Sequence, residues 1–255
     1  MRTLITTVVA AALMGGAAVA SAGPEGKLSV TSANLSNGEN IYKNGKGSVP
    51  ACQSCHGADG MGDDNLGTPR LAGQIFQFVL KQLEDFAADR RKDMTMFVMN
   101  DNAKGLTEQD RVDVAAYVSQ LKGQWKPSNL EEIQKAGTPV GKSWLGKEIV
   151  LYGLPEKGVP ACRACHNYNG RGVDPLFPAI GEQRYVYLVN QLKRWRDGSR
   201  ANDPEVGGKG AMREVAKNMS DEDIYNVATY LTKASPYPPG DRRLPERHVP
   251  IAFVR

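Results

Sequence analysis

Two short runs of residues constrain the fold of this chain more than any other feature. Residues 52–56 are Cys-Gln-Ser-Cys-His and residues 162–166 are Cys-Arg-Ala-Cys-His, so both follow the pattern C-x-x-C-H. The pattern is typical of covalent haem attachment, in which both cysteines form thioether bonds and the adjacent histidine binds the iron. The chain is therefore predicted to fold around two c-type haems. The predicted thioether residues are Cys52, Cys55, Cys162 and Cys165, and the predicted iron ligands are His56 and His166.

Two other kinds of site use cysteines at this spacing. A C-x-x-C pair can be a thioredoxin-like redox centre or half of a zinc site. The two pairs lie 110 positions apart, much further than the pairs of most four-cysteine zinc sites. Neither alternative explains why a histidine follows each pair directly. The motifs use all four cysteines and two of the three histidines, which favours covalent haem.

The haem motifs belong to an internal duplication. Residues 47–52 (Gly-Ser-Val-Pro-Ala-Cys) are similar to residues 158–162 (Gly-Val-Pro-Ala-Cys). Further along, residues 69–74 (Pro-Arg-Leu-Ala-Gly-Gln) are similar to residues 178–183 (Pro-Ala-Ile-Gly-Glu-Gln). Self-similarity at a nearly fixed offset indicates one structural unit that is present twice. The sequence therefore predicts two domains of the same kind.

Both repeats have the hydrophobic spacing of helices. After each haem motif, apolar residues recur at intervals of three and four, as on one face of a helix. A last helix is predicted to begin after Thr107 and after Ser220, because an aspartate follows each three residues later in a variant of the capping box. No convincing alternating strand pattern is present, so the predicted fold is all-α. The apolar stripes are Phe76, Val79, Leu83 and Phe86 in the first repeat and Tyr185, Leu188, Val189, Leu192 and Trp195 in the second.

The segment boundaries follow from composition. The chain is predicted to consist of a signal peptide at 1–22, a first domain at 23–122, a linker at 123–140, a second domain at 141–235 and a proline-rich tail at 236–255. The first segment begins with a basic residue, continues through an apolar stretch and ends in Ala-Ser-Ala, as secretory signal peptides do. Cleavage after Ala22 and export to the periplasm are predicted, and an uncleaved membrane anchor is the alternative.

The charge of the chain excludes one class of partner. The formal net charge of +4 is small and no Lys/Arg-rich run is present, so a nucleic-acid partner is not expected. The charge is unevenly spread: residues 23–122 contain 11 basic and 13 acidic residues, whereas residues 123–235 contain 16 and 13. Such a difference can orient the two ends of the molecule toward different redox partners.

A methionine is the expected second axial ligand of each iron, because a thioether ligand raises the reduction potential of an electron-carrying haem. The duplication aligns Met99 with Met212, each seven residues before the hydrophobic residue that precedes the last helix. Met61, Met94 and Met96 are alternatives to Met99 in the first repeat, and Met96 is the strongest of them. Met219 is predicted to be a core residue, because it takes the place of Leu106 and methionine is a common core filler.

The linked order of these motifs resembles the diheme cytochrome c4 family, which has two class I cytochrome c domains in tandem. The resemblance spans residues 35–235. It rests on C-x-x-C-H, the P-x-L-x-G-Q-like element, a Gln-Leu pair on the amphipathic helix, the methionine and the capped last helix, all present twice. The resemblance implies the axial pairs His56 and Met99 in the first domain and His166 and Met212 in the second.

The same resemblance implies a partner for the second nitrogen of each iron-binding imidazole. The carbonyl oxygens of Pro69 and Pro178 are expected to accept the other N–H of these rings and so to orient them. Pro175 is an alternative for the second domain.

The resemblance implies an electron carrier and not an enzyme, since two haems with histidine and methionine ligands leave no iron position for a substrate. The expected donor is a membrane quinol-oxidising complex or a dehydrogenase, the expected acceptor is a terminal oxidase or another cytochrome, and peripheral membrane association is possible. The alternative is the electron-accepting cytochrome subunit of a periplasmic dehydrogenase that oxidises sulfide, thiosulfate or an alcohol. A diheme enzyme has the least support, because no cysteine lies outside the motifs and the spare histidine, His248, is in the tail.

Overall fold

The computed structural model describes residues 32–124, 126–175, 177–206 and 208–235. The predicted signal peptide and the predicted tail therefore lie outside the described residues. The first repeat contains α1 (Leu35–Asn44), α2 (Gln53–His56), α3 (Phe76–Ala87), α4 (Val98–Lys104) and α5 (Glu108–Gln120), and α6 (Leu130–Lys135) follows it. The second repeat contains α7 (Ser143–Tyr152), α8 (Cys162–His166), α9 (Tyr185–Asp197), β1 (Glu205–Val206), β2 (Lys209–Gly210), α10 (Ala211–Ala216) and α11 (Asp221–Leu231). Single 3-10 turns occupy Pro155–Lys157 and Tyr168–Gly170.

The helices of the two repeats pack in the same way. In the first repeat, α1 packs against α5, and α3 packs against both α4 and α5. In the second, α7 packs against α11, and α9 packs against both α10 and α11. The prediction of two similar helical units is confirmed. Within the described residues, no helix combines the length and the apolar composition needed to cross a bilayer.

Each repeat buries an apolar core of its own. All four predicted stripe residues of α3 are buried, and on α9 the stripe is buried except for Leu192, which is partly buried. Burying one large apolar side chain stabilises the fold by about 1.5–3 kcal/mol, so these stripes hold the amphipathic helices against their neighbours. Met219 is 3% exposed and lies in the second core, as predicted.

The capping boxes predicted for the last helices are present in both repeats. Thr107 Oγ1 accepts a hydrogen bond from the Asp110 N–H, and the Asp110 carboxylate accepts one from the Thr107 N–H. Ser220 and Asp223 form the same pair of contacts at the start of α11. Each box satisfies backbone donors that a helix otherwise leaves unpaired at its N-terminus.

The first and last helices of each repeat cross at a glycine. A Cβ atom on Gly38 would lie 2.1 Å from the carbonyl oxygen of Asp113, and a Cβ atom on Gly146 would lie 1.9 Å from that of Asn226. No side chain fits at either crossing, because ordinary contacts of a Cβ atom are longer than 3.4 Å. The two glycines therefore bring α1 onto α5 and α7 onto α11.

Two features differ from the sequence-based expectation. The predicted linker contains the helix α6, capped by the Asn129 side chain, and its Ile133 is buried in the core of the second repeat. The second repeat also has a two-residue antiparallel pair, β1 and β2, within a small insertion that the first repeat lacks. Both elements are too short to produce a periodic pattern in the sequence.

The two repeats are joined by a symmetrical set of buried hydrogen bonds. Gln183 Oε1 accepts from the Arg70 backbone N–H at 2.6 Å, and Gln183 Nε2 donates to the Arg70 carbonyl at 3.1 Å. Gln74 makes the same two contacts with Ala179, at 2.8 and 2.9 Å. Each glutamine thus satisfies both backbone groups of one residue in the other repeat, which fixes the orientation of the two domains.

Candidate haem sites

The C-x-x-C-H motifs form short helices at equivalent places in the two repeats. In α2 and α8 the histidines are buried, with 7% exposed for both His56 and His166. In each motif the first cysteine is partly buried and the second is exposed. No disulfide joins any of the four cysteines, so all four are available for thioether bonds. The described residues form no cluster of three or more metal-binding side chains of the zinc-site type, so the two cysteine pairs do not come together.

Both imidazoles are oriented by a backbone carbonyl. His56 Nδ1 lies 3.2 Å from the Pro69 oxygen, and His166 Nδ1 lies 2.8 Å from the Pro178 oxygen. A ring that donates from Nδ1 leaves its Nε2 lone pair available for a metal. Burial lowers the pKa of both histidines, which favours the neutral, metal-binding form. It is Pro178, and not Pro175, that makes the contact in the second repeat.

The loop after each motif is held by the same hydrogen bonds in both repeats. The Gly62 N–H donates to the His56 carbonyl at 2.8 Å, and the Gly172 N–H donates to the His166 carbonyl at 2.7 Å. The segment that carries each proline is also hydrogen-bonded to this loop. In the first repeat the Leu71 N–H donates to the Gly60 carbonyl at 2.7 Å, and the second repeat has the equivalent hydrogen bond. The loop therefore fixes the proline carbonyl relative to the histidine that it orients.

The candidate methionines occupy matching positions. Met99 is the second residue of α4, and Met212 is the second residue of α10. Both side chains are partly buried, and Met99 packs at the edge of the first core together with Cys52. Met96 lies in the turn before α4, with a left-handed φ of 55° and 84% of its surface exposed. Met99, and not Met96, therefore occupies the position in the first repeat that Met212 occupies in the second.

The residues present fit two c-type haems. Each repeat supplies two cysteines outside any disulfide on one helical turn, a buried imidazole with its Nε2 lone pair available, and a partly buried thioether on a separate helix. Soft sulfur and imidazole donors suit haem iron.

The structure adds residues that the sequence did not indicate. Thr68 Oγ1 donates to the Cys55 carbonyl at 2.7 Å, and Tyr42 Oη donates to the Gly57 carbonyl at 2.5 Å, so both hold the first motif in place. The Phe177 ring stands edge-on to the His166 imidazole, with 6.1 Å between ring centres. The position of Phe177 next to the predicted Pro178 was a sequence signal that could have pointed to Phe177. The contacts of Thr68 and Tyr42 depend on the fold and leave no local pattern in the sequence.

The model of the Cytochrome c family matches the chain twice, at residues 35–122 and 157–235. The class of protein is therefore defined: two c-type cytochrome domains in one chain.

Three known proteins place the chain more closely. The thiosulfate dehydrogenase electron acceptor of Thiomonas intermedia (strain K12) is 38% identical over 190 residues, which cover 74% of this chain and 80% of that protein. The crystal structure of reduced recombinant cytochrome c4 from Pseudomonas stutzeri has a TM-score of 0.63 at 31% identity and covers 80% of this chain and 100% of its own. Thiosulfate dehydrogenase (TsdBA) from Marichromatium purpuratum has a TM-score of 0.67 at 30% identity, and the match covers 78% of this chain but only 40% of that longer one.

The chain belongs to the diheme cytochrome c4 family. It is a diheme electron carrier with two covalently bound c haems, one per domain, which confirms the predictions of fold, cofactor and general role. Its partners are redox proteins.

Proposed function

We propose that His56 and Met99 are the axial ligands of the first haem iron and that His166 and Met212 are those of the second. The proposal is supported by the equivalence of the two methionines, each the second residue of the helix that packs on α3 or α9. The carbonyl contacts at both Nδ1 atoms support it further, because they leave Nε2 to the metal. The haem iron supplies one-electron redox chemistry, and the protein side chains bury it and set its potential.

The ligand proposal is tested by a matched pair of variants. Met99→Ala should abolish the methionine-to-iron charge-transfer band of the first haem and lower its reduction potential, since a soft thioether ligand raises that potential. Met96→Ala should leave both unchanged, because its side chain is exposed in the turn. The reverse result, a band lost in Met96→Ala and kept in Met99→Ala, would assign the ligand to Met96.

The protein itself is proposed not to be an enzyme. Filled axial positions on both irons leave no coordination site for a substrate. The proposed role of the chain is then to hold the two imidazoles, exclude water from the irons and keep the two domains in fixed contact. Turnover with peroxide or thiosulfate in the absence of any partner protein would overturn this part of the proposal.

The proposed electron donor is a periplasmic dehydrogenase that oxidises thiosulfate. The observation that carries this step is the 38% identity to a protein named for accepting electrons from thiosulfate dehydrogenase. The likeness to part of a chain named thiosulfate dehydrogenase (TsdBA) supports it as well; that match covers 78% of this chain and 40% of the other.

A direct electron-transfer experiment tests the proposed donor. The oxidised protein is mixed with purified thiosulfate dehydrogenase and thiosulfate, and haem reduction is followed by stopped-flow absorption. Reduction at rates typical of specific partners, about 10⁵–10⁷ M⁻¹s⁻¹, is expected. Reduction that is fast with a quinol-oxidising complex and negligible with thiosulfate dehydrogenase would replace this donor by the respiratory one.

The periplasm is the proposed location. Covalent haem attachment outside the bacterial cytoplasm supports it, together with the predicted signal peptide at residues 1–22. The mass of the mature protein tests this: a chain that begins at Gly23 and carries two haems is expected, whereas an intact N-terminus would indicate a retained anchor.

A further inference from the structure

Three large apolar side chains are exposed around the second haem-attachment motif. Tyr152 ends α7 and is 61% exposed, Tyr168 is 53% exposed in the 3-10 turn after α8, and Val173 is 42% exposed in the loop that follows. Arg163 and Cys165 lie on α8, between the two tyrosines in the chain, and are exposed as well. We call these five residues the α8 face.

The members of the α8 face come from elements that pack together. The Arg163 guanidinium lies over the Tyr152 ring, 5.5 Å from its centre, and α7 packs against α8. The turn that holds Tyr168 packs against α8 as well. Val173 follows the residue whose N–H donates to the carbonyl of His166 in α8. The motif helix is therefore flanked at the surface by two tyrosines and a valine.

The backbone under these side chains is held by hydrogen bonds. The Tyr168 N–H donates to the Asn167 side-chain oxygen at 2.7 Å, and the Tyr168 carbonyl accepts from the Arg171 N–H at 3.0 Å. Val173 exchanges two backbone hydrogen bonds with Phe177, at 2.8 and 2.9 Å. A surface that is already fixed loses little conformational entropy when a partner covers it. The α8 face is therefore preorganised for binding.

The first repeat has smaller or polar residues at the equivalent positions. The register follows from the fold, since Gly62 and Gly172 make the same hydrogen bond to the motif histidine of their repeat. The first repeat has Asn44, Gln53, Ala58 and Asp63 in place of Tyr152, Arg163, Tyr168 and Val173. Both repeats have the same haem-attachment motif, so the haem itself does not require large apolar residues here. An exposed apolar patch with a polar rim is instead typical of an interaction site.

The charge around the α8 face is opposite to the charge around the first motif. Residues 142–174 contain five basic and three acidic residues, whereas the equivalent residues 34–64 contain two and four. The difference is also present close to the motifs: residues 162–174 contain two arginines and one aspartate, and residues 52–64 contain three aspartates and no lysine or arginine. Complementary potentials guide a partner to one surface and keep it from another. The α8 face therefore fits a partner with an acidic contact surface.

The residue types of the α8 face suit an electron-transfer contact. Tyrosine and arginine are enriched at the centres of protein interfaces, where they bury a large area with few rotatable bonds. Cys165 is exposed, and in a c-type domain its sulfur is bonded to the porphyrin. The covalent attachment of the second haem thus reaches the same surface as the two tyrosines. A protein bound there contacts a residue that is bonded to the haem.

We propose that the α8 face is a docking surface for a redox protein whose contact surface is acidic, and that the second haem exchanges electrons with this protein there. One electron passes from the reduced partner to the ferric iron, so the partner is oxidised by one electron and the iron becomes ferrous. The inference goes beyond the proposed thiosulfate-oxidising donor and does not depend on it. The acidic residues around the first motif keep such a partner from binding there.

The test uses reduced flavodoxin, a strongly acidic electron-transfer protein, as the probe. It is mixed with the oxidised diheme protein in a stopped-flow instrument, and haem reduction is followed as the flavodoxin concentration is raised. The half-saturating concentration measures docking, and the dependence of the rate on ionic strength measures the contribution of charge. Reduction is expected to saturate with flavodoxin and to slow with added salt.

Two variants of the α8 face should weaken docking. Tyr168→Ala should raise the half-saturating concentration about fivefold or more, as loss of a central interface side chain does. Arg163→Gln, which introduces the residue type of the first repeat, should slow reduction about threefold at low ionic strength and reduce its salt dependence. Leu66→Ala and Lys104→Gln are the matched controls, because they remove an exposed apolar side chain and an exposed cation from the first domain. Both should change the kinetics little.

Three results would overturn the proposal. Unchanged half-saturation in Tyr168→Ala would mean that the apolar residues do not take part in docking. Equal slowing by Lys104→Gln and Arg163→Gln would mean that only the net charge of the chain attracts the probe. Weaker docking of mitochondrial cytochrome c, a basic protein, to Arg163→Gln than to the parent protein would mean that the surface selects partners of the opposite charge. All four substitutions are at exposed positions, and unchanged haem spectra show that each variant is folded.

Discussion

Replacing Gln183 by alanine tests whether the two domains are held by the reciprocal glutamine contacts. Gln183 is 4% exposed and is the partner of both backbone groups of Arg70, at 2.6 and 3.1 Å. The substitution leaves a buried N–H and a buried C=O without their partner. An unsatisfied buried polar group costs about 1–3 kcal/mol, so a loss of about 3 kcal/mol in the free energy of unfolding is expected.

The assay is urea-induced unfolding of the oxidised diheme protein, followed by circular dichroism. Gln74→Ala should show a similar loss, because Gln74 makes the equivalent contacts with Ala179. Gln134→Ala is the matched control: its side chain is exposed, and its loss should be within about 0.5 kcal/mol. A loss below about 1 kcal/mol for Gln183→Ala would refute the reasoning, since it would mean that Arg70 finds other partners at no cost.

Three further predictions concern packing, pH and partner binding. Gly146→Ala should destabilise the second domain by about 3 kcal/mol, because its Cβ would lie 1.9 Å from the Asn226 carbonyl oxygen. Replacing its exposed neighbour, Lys147→Ala, should change the stability little. Equal urea midpoints for the two variants would contradict the close crossing of α7 and α11. Burial raises the pKa of Glu182 in the folded protein. The contribution of this carboxyl group to the free energy of unfolding is therefore fully present below about pH 4.3, the ordinary pKa of glutamate, and it is lost as the pH rises through the folded-state pKa. Glu182→Gln should therefore gain stability relative to the parent protein as the pH rises above about 4.3, and urea titrations that give a constant difference at all pH values would exclude this linkage. Reduction of the haems by the partner protein should slow with added salt, because the two domains differ in net charge and salt screens the attraction of the partner to one of them. Stopped-flow rates that do not depend on ionic strength would rule out electrostatic steering.

Local sequence patterns predicted the haem-binding segments and the helix starts well. The C-x-x-C-H motif fixes its chemistry within five residues. The capping boxes at Thr107 and Ser220 likewise join residues only three positions apart, so their contacts form wherever the helix forms. The apolar stripe of α3 was equally readable, because its 3.6-residue period is imposed by the helix itself.

The junction between the domains was not predictable in the same way. The repeated glutamines at positions 74 and 183 were visible as part of the duplication, but their partners lie more than 100 positions away in the chain. Nothing in the local sequence indicates that Arg91 donates a hydrogen bond to Gln191, since each belongs to a different repeat. The linker helix α6 was missed for a related reason: Ile133 is its only buried residue, and that residue is buried by the second domain.

The duplication had its greatest value for the methionines. Met96 and Met99 lie three residues apart, and sequence spacing left both as candidates. The fold places Met99 in α4 at the position of Met212 in α10, while Met96 occupies an exposed turn. The proposed choice of Met99 depends on where a helix begins, and that boundary is among the features a sequence determines least well.

Near-infrared magnetic circular dichroism of the oxidised protein tests the central claim most directly. If each domain encloses one haem with histidine and methionine as axial ligands, the spectrum should contain low-spin methionine-to-iron bands that amount to two haems per chain. Bands for only one haem, a bis-histidine signature or a high-spin component would contradict that claim.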